Sequence, residues 1–192
     1  MSYLLSWKIV LFFFRIFIKE VKGLENISRK ETHIITGNHN GYADGGIILY
    51  LFCKILNQKI HFFAAKLWYS FIYLKLFECI TEGNAVKKGL EYLNKKQSIA
   101  ILPEGRRNKT NIIKDFKTGV AALAHLSGKP VIIFGITLVK FPYFKQAVVK
   151  ISKPIKFNKI KGTIPRQTLI RTTNKIMREV AKLSGKRFKA IN

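Results

Sequence analysis

Residues 33–36, His-Ile-Ile-Thr, form a short β-branched run that stops at a loop of small and polar residues, Gly37-Asn38-His39-Asn40-Gly41-Tyr42-Ala43-Asp44-Gly45-Gly46. The chain then resumes in the apolar stretch Ile47–Phe52. The first run suits a buried strand and the second a helix packed on a sheet, so the loop is fixed at a strand-to-helix turn. In an α/β domain ligands bind in the crevice beyond the carboxyl ends of the strands. A histidine in this loop therefore faces that crevice by virtue of the architecture.

His39 and Asp44 stand five positions apart in the loop. Imidazole, with an unperturbed pKa of about 6.5, can take and return a proton near neutrality, and a nearby carboxylate can fix its tautomer and stabilise the imidazolium. The pair thus makes chemical sense as an acid–base dyad. The same residues also fit a plainer role, with Asp44 capping the helix that follows and His39 an ordinary loop histidine.

A second stretch, Ser98-Ile99-Ala100-Ile101-Leu102-Pro103-Glu104-Gly105-Arg106-Arg107, reads as another buried strand that breaks off in a proline and a glycine followed by two arginines. Glycine lets the backbone approach a ligand closely, and guanidinium offers a planar fork of donors suited to phosphate. Downstream come Phe116-Lys117-Thr118-Gly119, a small-residue helix over Val120–Leu126, Gly128-Lys129-Pro130 and a further apolar strand over Val131–Ile136.

In this order the blocks resemble the glycerolipid acyltransferase family, the lysophosphatidic acid acyltransferase-like group with N-H-x4-D and F-P-E-G-x-R motifs. The first block is Asn38–Asp44; the second is Leu102–Arg107, with Leu102 in place of the usual Phe. The F-K-x-G segment matches Phe116–Gly119, and the P-[IV]-x-P-V segment matches Pro130–Phe134 in part, because Ile133 stands where a second proline is usual. The resemblance covers about residues 23 to 180 and implies direct acyl transfer from acyl-CoA or acyl carrier protein to a lysophospholipid hydroxyl, with no cofactor, covalent intermediate or metal. It implies His39 as base, Asp44 as its orienting carboxylate, and Glu104, Gly105 and Arg107 as holders of the acceptor headgroup. Arg106 is a lesser helper, and Asn38 of the first block joins the substrate-binding set. One departure stands out: Glu82 occupies the position where the family usually offers a phosphate-binding arginine. Either Lys87 or Lys88 substitutes, or the acceptor is not the usual one. A catalytically silent lipid-binding relative is the reading that such a loss would favour.

Composition narrows the partners. The 192 residues suffice for one domain with a real core, and 48% of them are apolar. Lys and Arg number 35 against 10 acidic residues, a net charge of +25, which points to a large anionic partner. An anionic membrane surface is expected over nucleic acid, because the lysines are scattered and the amino terminus is apolar. Residues 1–22 are the most hydrophobic part, and Lys8, Arg15, Lys19 and Lys22 would form one basic stripe on a helix. The expectation is an amphipathic helix lying in the interface at the cytoplasmic face of a membrane, with a single pass as the alternative. Residues 23–184 then form the acyltransferase domain, an α/β fold with a mixed, mostly parallel sheet flanked by helices. Residues 185–192 are expected as a frayed basic tail. Phe141-Pro142-Tyr143-Phe144 suggests a second membrane-facing loop. Cys53 and Cys79 sit singly in apolar segments and fit a structural role in a reducing compartment. No Cys/His cluster has metal-ligand spacing.

Overall fold

The computed structural model describes residues 14–41, 43–56, 60–63, 85–142 and 144–191. The strands are β1 (Ile18–Lys22), β2 (Ile34–Gly37), β3 (Ile60–Phe62), β4 (Ser98–Ile101), β5 (Ile112–Ile113), β6 (Val131–Lys140), β7 (Lys145–Ile151) and β8 (Arg187–Phe188). The helices are α1 (Ala43–Leu56), α2 (Ala85–Asn94), α3 (Gly119–Ser127) and α4 (Arg166–Ser184). Six strands form one sheet in the order β1-β7-β6-β2-β4-β3, and β5 pairs with β8 in a small separate ladder. Within the large sheet every pairing is parallel except the β6–β7 hairpin.

Alternation along the central strands divides the core between the two faces of the sheet. Ile35, Ala100, Ile132, Phe134 and Ile136 point to the side covered by α1, whose Ile47, Ile48, Leu51 and Phe52 are buried against them. Ile34, Ile99, Val131 and Ile133 point to the other side, where they meet Leu93 of α2, Val120 and Leu123 of α3, and Ile176, Met177 and Val180 of α4. Each fully buried Val, Leu, Ile, Phe or Met among them contributes about 1.5–3 kcal/mol from apolar burial. All four residues of β2 are buried, as a strand covered on both faces requires.

Two glycines set close approaches that matter for the crevice. A Cβ on Gly37 would overlap the Phe134 ring, so the end of β2 can lie flat on α1's side of the core only without a side chain. A Cβ on Gly135 would run into the backbone of Leu183 and Ser184, which brings the carboxyl end of α4 down onto β6. Thr137 Oγ1 donates to the Ser184 carbonyl at 3.0 Å across the same contact.

The amino-terminal helix predicted over residues 1–22 does not extend that far. Residues 18–22 are an edge strand parallel to β7, with Ile18 paired to Ala147 and Val21 to Val149. Phe14 and Arg15 end a helical turn, and the Arg15 guanidinium donates to the Ile18 carbonyl at 2.8 Å where the strand begins. Lys19 and Lys22 thus belong to the exposed side of an edge strand, where charge discourages further pairing. A four-residue charge spacing is compatible with a helix, but Ile18 and Val21 find a partner strand far away in sequence, and that pairing decides. Residues 1–13 lie outside the described residues.

The carboxyl-terminal tail is likewise docked rather than frayed. β8 pairs in parallel with β5, Ile112 to Arg187 and Ile113 to Phe188. The Phe188 ring stacks on Phe116 at 6.0 Å, and the Arg178 guanidinium lies 5.4 Å from the Phe188 ring centre. The Asn174 amide both accepts from and donates to the Ile191 backbone.

Apolar residues at three- and four-residue steps predict a helix over about Arg166–Leu183, and the sequence also reads as a helix over Ala85–Asn94 and a strand over Ala147–Ile151; all three are present with ends shifted by two residues or fewer. The apolar run Ala65–Leu74, which suits a helix and with Leu76 and Phe77 the wall of a lipid-tail site, and the segment carrying Glu82 lie outside the described residues. Among the described residues no helix is long and apolar enough to cross a membrane.

Candidate active site

β2 pairs with β4 through Thr36 and Ile101 at their carboxyl ends, so the loop after Gly37 and the turn after Ile101 emerge side by side. Asn38 is fully buried in the first loop. Its Oδ1 accepts the Ile136 N–H at 2.7 Å and its Nδ2 donates to the Ile136 carbonyl at 2.9 Å, which substitutes for a strand partner where β2 has ended. Asn40 Nδ2 donates to the same carbonyl at 2.8 Å. The two asparagines tie the loop to β6.

That anchorage turns His39 toward α1. His39 Nδ1 lies 3.0 Å from Asp44 Oδ2, with the imidazole side chain 20% exposed and the carboxylate 1% exposed. The same Oδ2 accepts the backbone N–H of Asn40 and, at 2.8 Å, that of Gly41. Asp44 stands in the first turn of α1 but turns back on the loop, so its carboxylate organises the histidine rather than capping the helix. A carboxylate only accepts, which assigns the hydrogen of the neutral ring to Nδ1 and leaves the Nε2 lone pair as the basic position.

The second turn grips the first. Glu104 is 5% exposed, and its Oε1 accepts the His39 N–H at 3.1 Å. Its Oε2 accepts from Asn108 Nδ2. The Asn108 N–H in turn donates to the His39 carbonyl at 2.6 Å, so both backbone polar groups of His39 are held from this side. Burial raises the Glu104 carboxyl pKa above its ordinary value; the hydrogen bonds from Asn108 and His39 and the nearby charges of Lys186 and His39 oppose the rise.

Gly105 makes the turn itself, with φ +63° in the left-handed region and its N–H donating to the Leu102 carbonyl at 3.0 Å. Arg106 is exposed and pairs with the equally exposed Asp115 at 3.3 Å, a contact of little energetic weight in water. Arg107 is half-buried. The segment Phe116–Gly119 braces the turn: Phe116 is buried, and the Lys117 N–H donates to the Pro103 carbonyl at 2.9 Å. The structure thus brings together His39, Asp44 and Glu104, with Gly105 and Arg107 on the adjoining turn and Arg106 directed to solvent.

Sequence reasoning missed Asn108 and Lys186. Asn108 lies three residues past Gly105, and its Oδ1 accepts from the Thr110 N–H at 2.9 Å in a local turn, the signal an Asn-x-Thr stretch offers. Lys186 Nζ donates to the Asn108 carbonyl at 2.9 Å. The remaining histidines are elsewhere: His125 is fixed between the Asn158 carbonyl and Thr172 Oγ1. His61 stacks on Tyr92 at 3.5 Å. His33 is fully buried, and burial lowers its pKa.

A protein-family model described as Acyltransferase matches residues 19–138, which run from β1 nearly to the end of β6 and contain both loops. The chain belongs to the Acyltransferase family. The resemblance carried by the N-H-x4-D and P-E-G-x-R blocks is thereby established. A 1-acyl-sn-glycerol-3-phosphate acyltransferase of Borreliella burgdorferi is 26% identical to this acyltransferase-family chain over 120 residues, 58% of this chain and 48% of the relative. The chain therefore spans about half the length of that curated relative. The crystal structure of the 1-acyl-sn-glycerophosphate (LPA) acyltransferase PlsC from Thermotoga maritima superposes with a TM-score of 0.68 at 20% identity, covering 95% of this chain and 81% of that one. The likeness establishes the architecture: a single α/β domain with a mostly parallel mixed sheet flanked by helices, as the sequence led one to expect.

The buried Glu104 of this acyltransferase fold makes a testable contribution to stability. A carboxyl whose pKa is raised in the folded state favours folding most below its unfolded value, ordinarily 4.5, and that contribution is lost as pH rises through the folded value. Urea unfolding across pH should show the stability of the wild type falling relative to Glu104→Gln as pH rises from about 4.5. A gap that widens in favour of the wild type over the same range would contradict the assignment.

Proposed function

We propose that the chain is a membrane-associated O-acyltransferase that moves a fatty acyl group from a thioester donor, acyl-CoA or acyl carrier protein, to the hydroxyl of a lysophospholipid. The acceptor of first choice is 1-acyl-glycerol-3-phosphate, giving phosphatidic acid. The observation that carries this reading is the His39–Asp44 pair at the carboxyl end of the sheet, with Nε2 left as the basic nitrogen. A thioester carbonyl is already activated, so the enzyme's task is to make the acceptor hydroxyl nucleophilic and hold it in line. His39 Nε2 takes the hydroxyl proton as the oxygen attacks the carbonyl carbon. The tetrahedral intermediate collapses with cleavage of the carbon–sulfur bond, and the departing thiolate takes the proton from the imidazolium. Asp44 stabilises that imidazolium, and Arg107 with the turn at Glu104 and Gly105 faces the acceptor headgroup. Donors aimed at the developing oxyanion come from backbone N–H groups or from a nearby arginine.

The topology supports a membrane approach from the same end. β6 runs parallel to β2, so its carboxyl end, where the hairpin turns at residues 141–144, rises on the side of the site loops. β1 runs antiparallel to β6 through β7, so its amino end and residues 14–17 rise there too. Phe14, Phe17, Phe144 and Phe141 form a chain of ring contacts at 6.4, 5.7 and 4.9 Å. Phe14 also lies over Gly46, two residues from Asp44. Lys140 and Lys145 face each other at the root of the hairpin, both exposed. An aromatic ridge edged with cations, at the mouth of a crevice that takes an amphiphile, fits an anionic lipid surface. In this reading the protein works at the cytoplasmic face of a membrane, as a peripheral or monotopic enzyme.

The test is acyl transfer in anionic vesicles containing lysophosphatidic acid, with acyl-CoA and acyl carrier protein offered in parallel. Wild type should form phosphatidic acid, and His39→Ala should lower the rate roughly 10²- to 10⁴-fold, the range of general acid–base contributions. Folded wild type that binds vesicles and transfers nothing to any lysolipid headgroup would sink the reading. In the same vesicles Phe141→Asp should weaken partitioning about tenfold or more, since an aromatic side chain that enters the interface contributes roughly 1.5–3 kcal/mol. Unchanged partitioning would remove the hairpin from the membrane surface.

A further inference from the structure

The carboxyl-terminal tail returns to the site along a defined path. α4 ends at Gly185, whose φ of +70° in the left-handed region turns the chain back. The Lys186 N–H donates to the Ala181 carbonyl at 2.9 Å, the Arg187 N–H to the Asn111 carbonyl at 2.9 Å, and the Lys189 N–H to the Ile113 carbonyl at 3.0 Å. Lys186 is thus held at both flanks of its backbone while its side chain, half-buried, reaches Asn108. Asn108 is the residue whose N–H holds the His39 carbonyl and whose side chain holds Glu104 and, at 2.8 Å, the Ile112 carbonyl.

We propose that Lys186 is a positioning residue for acyl transfer: carried to the site by β8, its ammonium group fixes the Asn108 backbone through the carbonyl, and the Asn108 N–H on the other side of the same Cα holds His39 in register with Asp44 and Glu104. The proposal rests on the acyl-transfer reading given above and adds to it a residue outside both sequence blocks. Charge makes the choice of residue intelligible. Asp44 and Glu104 are both buried, and buried carboxylates are costly without a nearby cation. Lys186 feels both of them; burial lowers its pKa, and Glu104 and then Asp44 push it back up. A neutral donor in its place would keep one hydrogen bond to the Asn108 carbonyl and leave the two carboxylates without that cation. The Lys186 contact is to the backbone of Asn108, so its effect on chemistry passes through Asn108 to His39. Misplacement of a reacting group by about 1 Å can cost on the order of 10²-fold in rate.

The experiment compares wild type, Lys186→Met, Lys186→Arg and Lys189→Met in lysophosphatidic acid vesicles, with thermal melts of each and amide hydrogen exchange by NMR. Lys189 is an exposed lysine of the same tail and controls for loss of one positive charge at the lipid surface. The expected result is a kcat for Lys186→Met lowered about 10- to 100-fold with acceptor KM within about twofold. Lys186→Arg should recover a large part of the rate, and Lys189→Met should match wild type. The His39 and Asn108 amides should exchange at least about tenfold faster in Lys186→Met while those of Ile35 and Ile132 in the central sheet do not change. A raised acceptor KM with kcat retained would make Lys186 a substrate contact and overturn the proposal; so would unchanged kcat, or unchanged exchange at His39. If wild type itself transfers no acyl group, the acyl-transfer reading fails, and exchange at His39 and Asn108 still decides whether Lys186 positions them. If Lys186→Met does not fold, Lys186→Gln is measured in its place, and loss of folding in both would overturn a positioning role.

Discussion

Both backbone polar groups of His39 are held by the turn that follows β4: its N–H by Glu104 and its carbonyl by Asn108. The rest of the site follows from that constraint. The β2–β4 ladder ends at Thr36 and Ile101, yet the two loops beyond it stay bonded to one another through a carboxylate side chain and an asparagine. The pairing thus continues past the strands in another form. With the backbone fixed, Asp44 needs only to meet one ring nitrogen, and the first turn of α1 places it at 3.0 Å. The sheet interior, where β2 is wholly buried and flanked by β4 and β6, supplies the rigidity behind this arrangement.

The electrostatics of the chain are inverted at the site. The net charge is +25 and many lysines and arginines among the described residues are exposed, but the acidic residues buried among the described ones are Asp44 and Glu104. Asp44 is met by two loop N–H groups and the imidazole, Glu104 by a backbone N–H and an amide. Buried carboxylates with such partners are tolerable, and without them they are not. In the function proposed above, the basic exterior and the acidic interior serve different stages, the first drawing the chain to an anionic lipid surface and the second preparing the imidazole.

Much of this was legible in sequence where the signal was local. The helix at about Arg166–Leu183 declares itself by helical spacing, and the two loops declare themselves by the abrupt end of an apolar run at Gly37 and at Pro103. What could not be read was long-range pairing. Ile18 and Val21 look helical among their neighbours and become a strand because β7, more than 120 residues away, offers Ala147 and Val149. The tail looks like a frayed basic stretch and becomes an ordered strand because Phe188 stacks on Phe116 and β5 supplies a two-residue ladder. Asn108 escaped notice for a related reason: its neighbours mark it as a turn residue, and only the fold shows that the turn closes on His39. Glu104 was expected to face the acceptor, and its two oxygens are engaged by His39 and Asn108, a relation that residue type alone does not disclose.

Asp44 holds the hydrogen of the neutral His39 ring on Nδ1 and so leaves Nε2 unprotonated. The most direct measurement is a long-range proton–nitrogen correlation spectrum of the imidazole rings, at a pH where His39 is neutral, with His39 assigned by its absence from His39→Ala. The expected result is the Nδ1–H tautomer, reverting to a mixture in Asp44→Ala. A ring that carries its hydrogen on Nε2 in the wild type would contradict it, because the nitrogen facing the substrate would then have no lone pair with which to take the acceptor's proton.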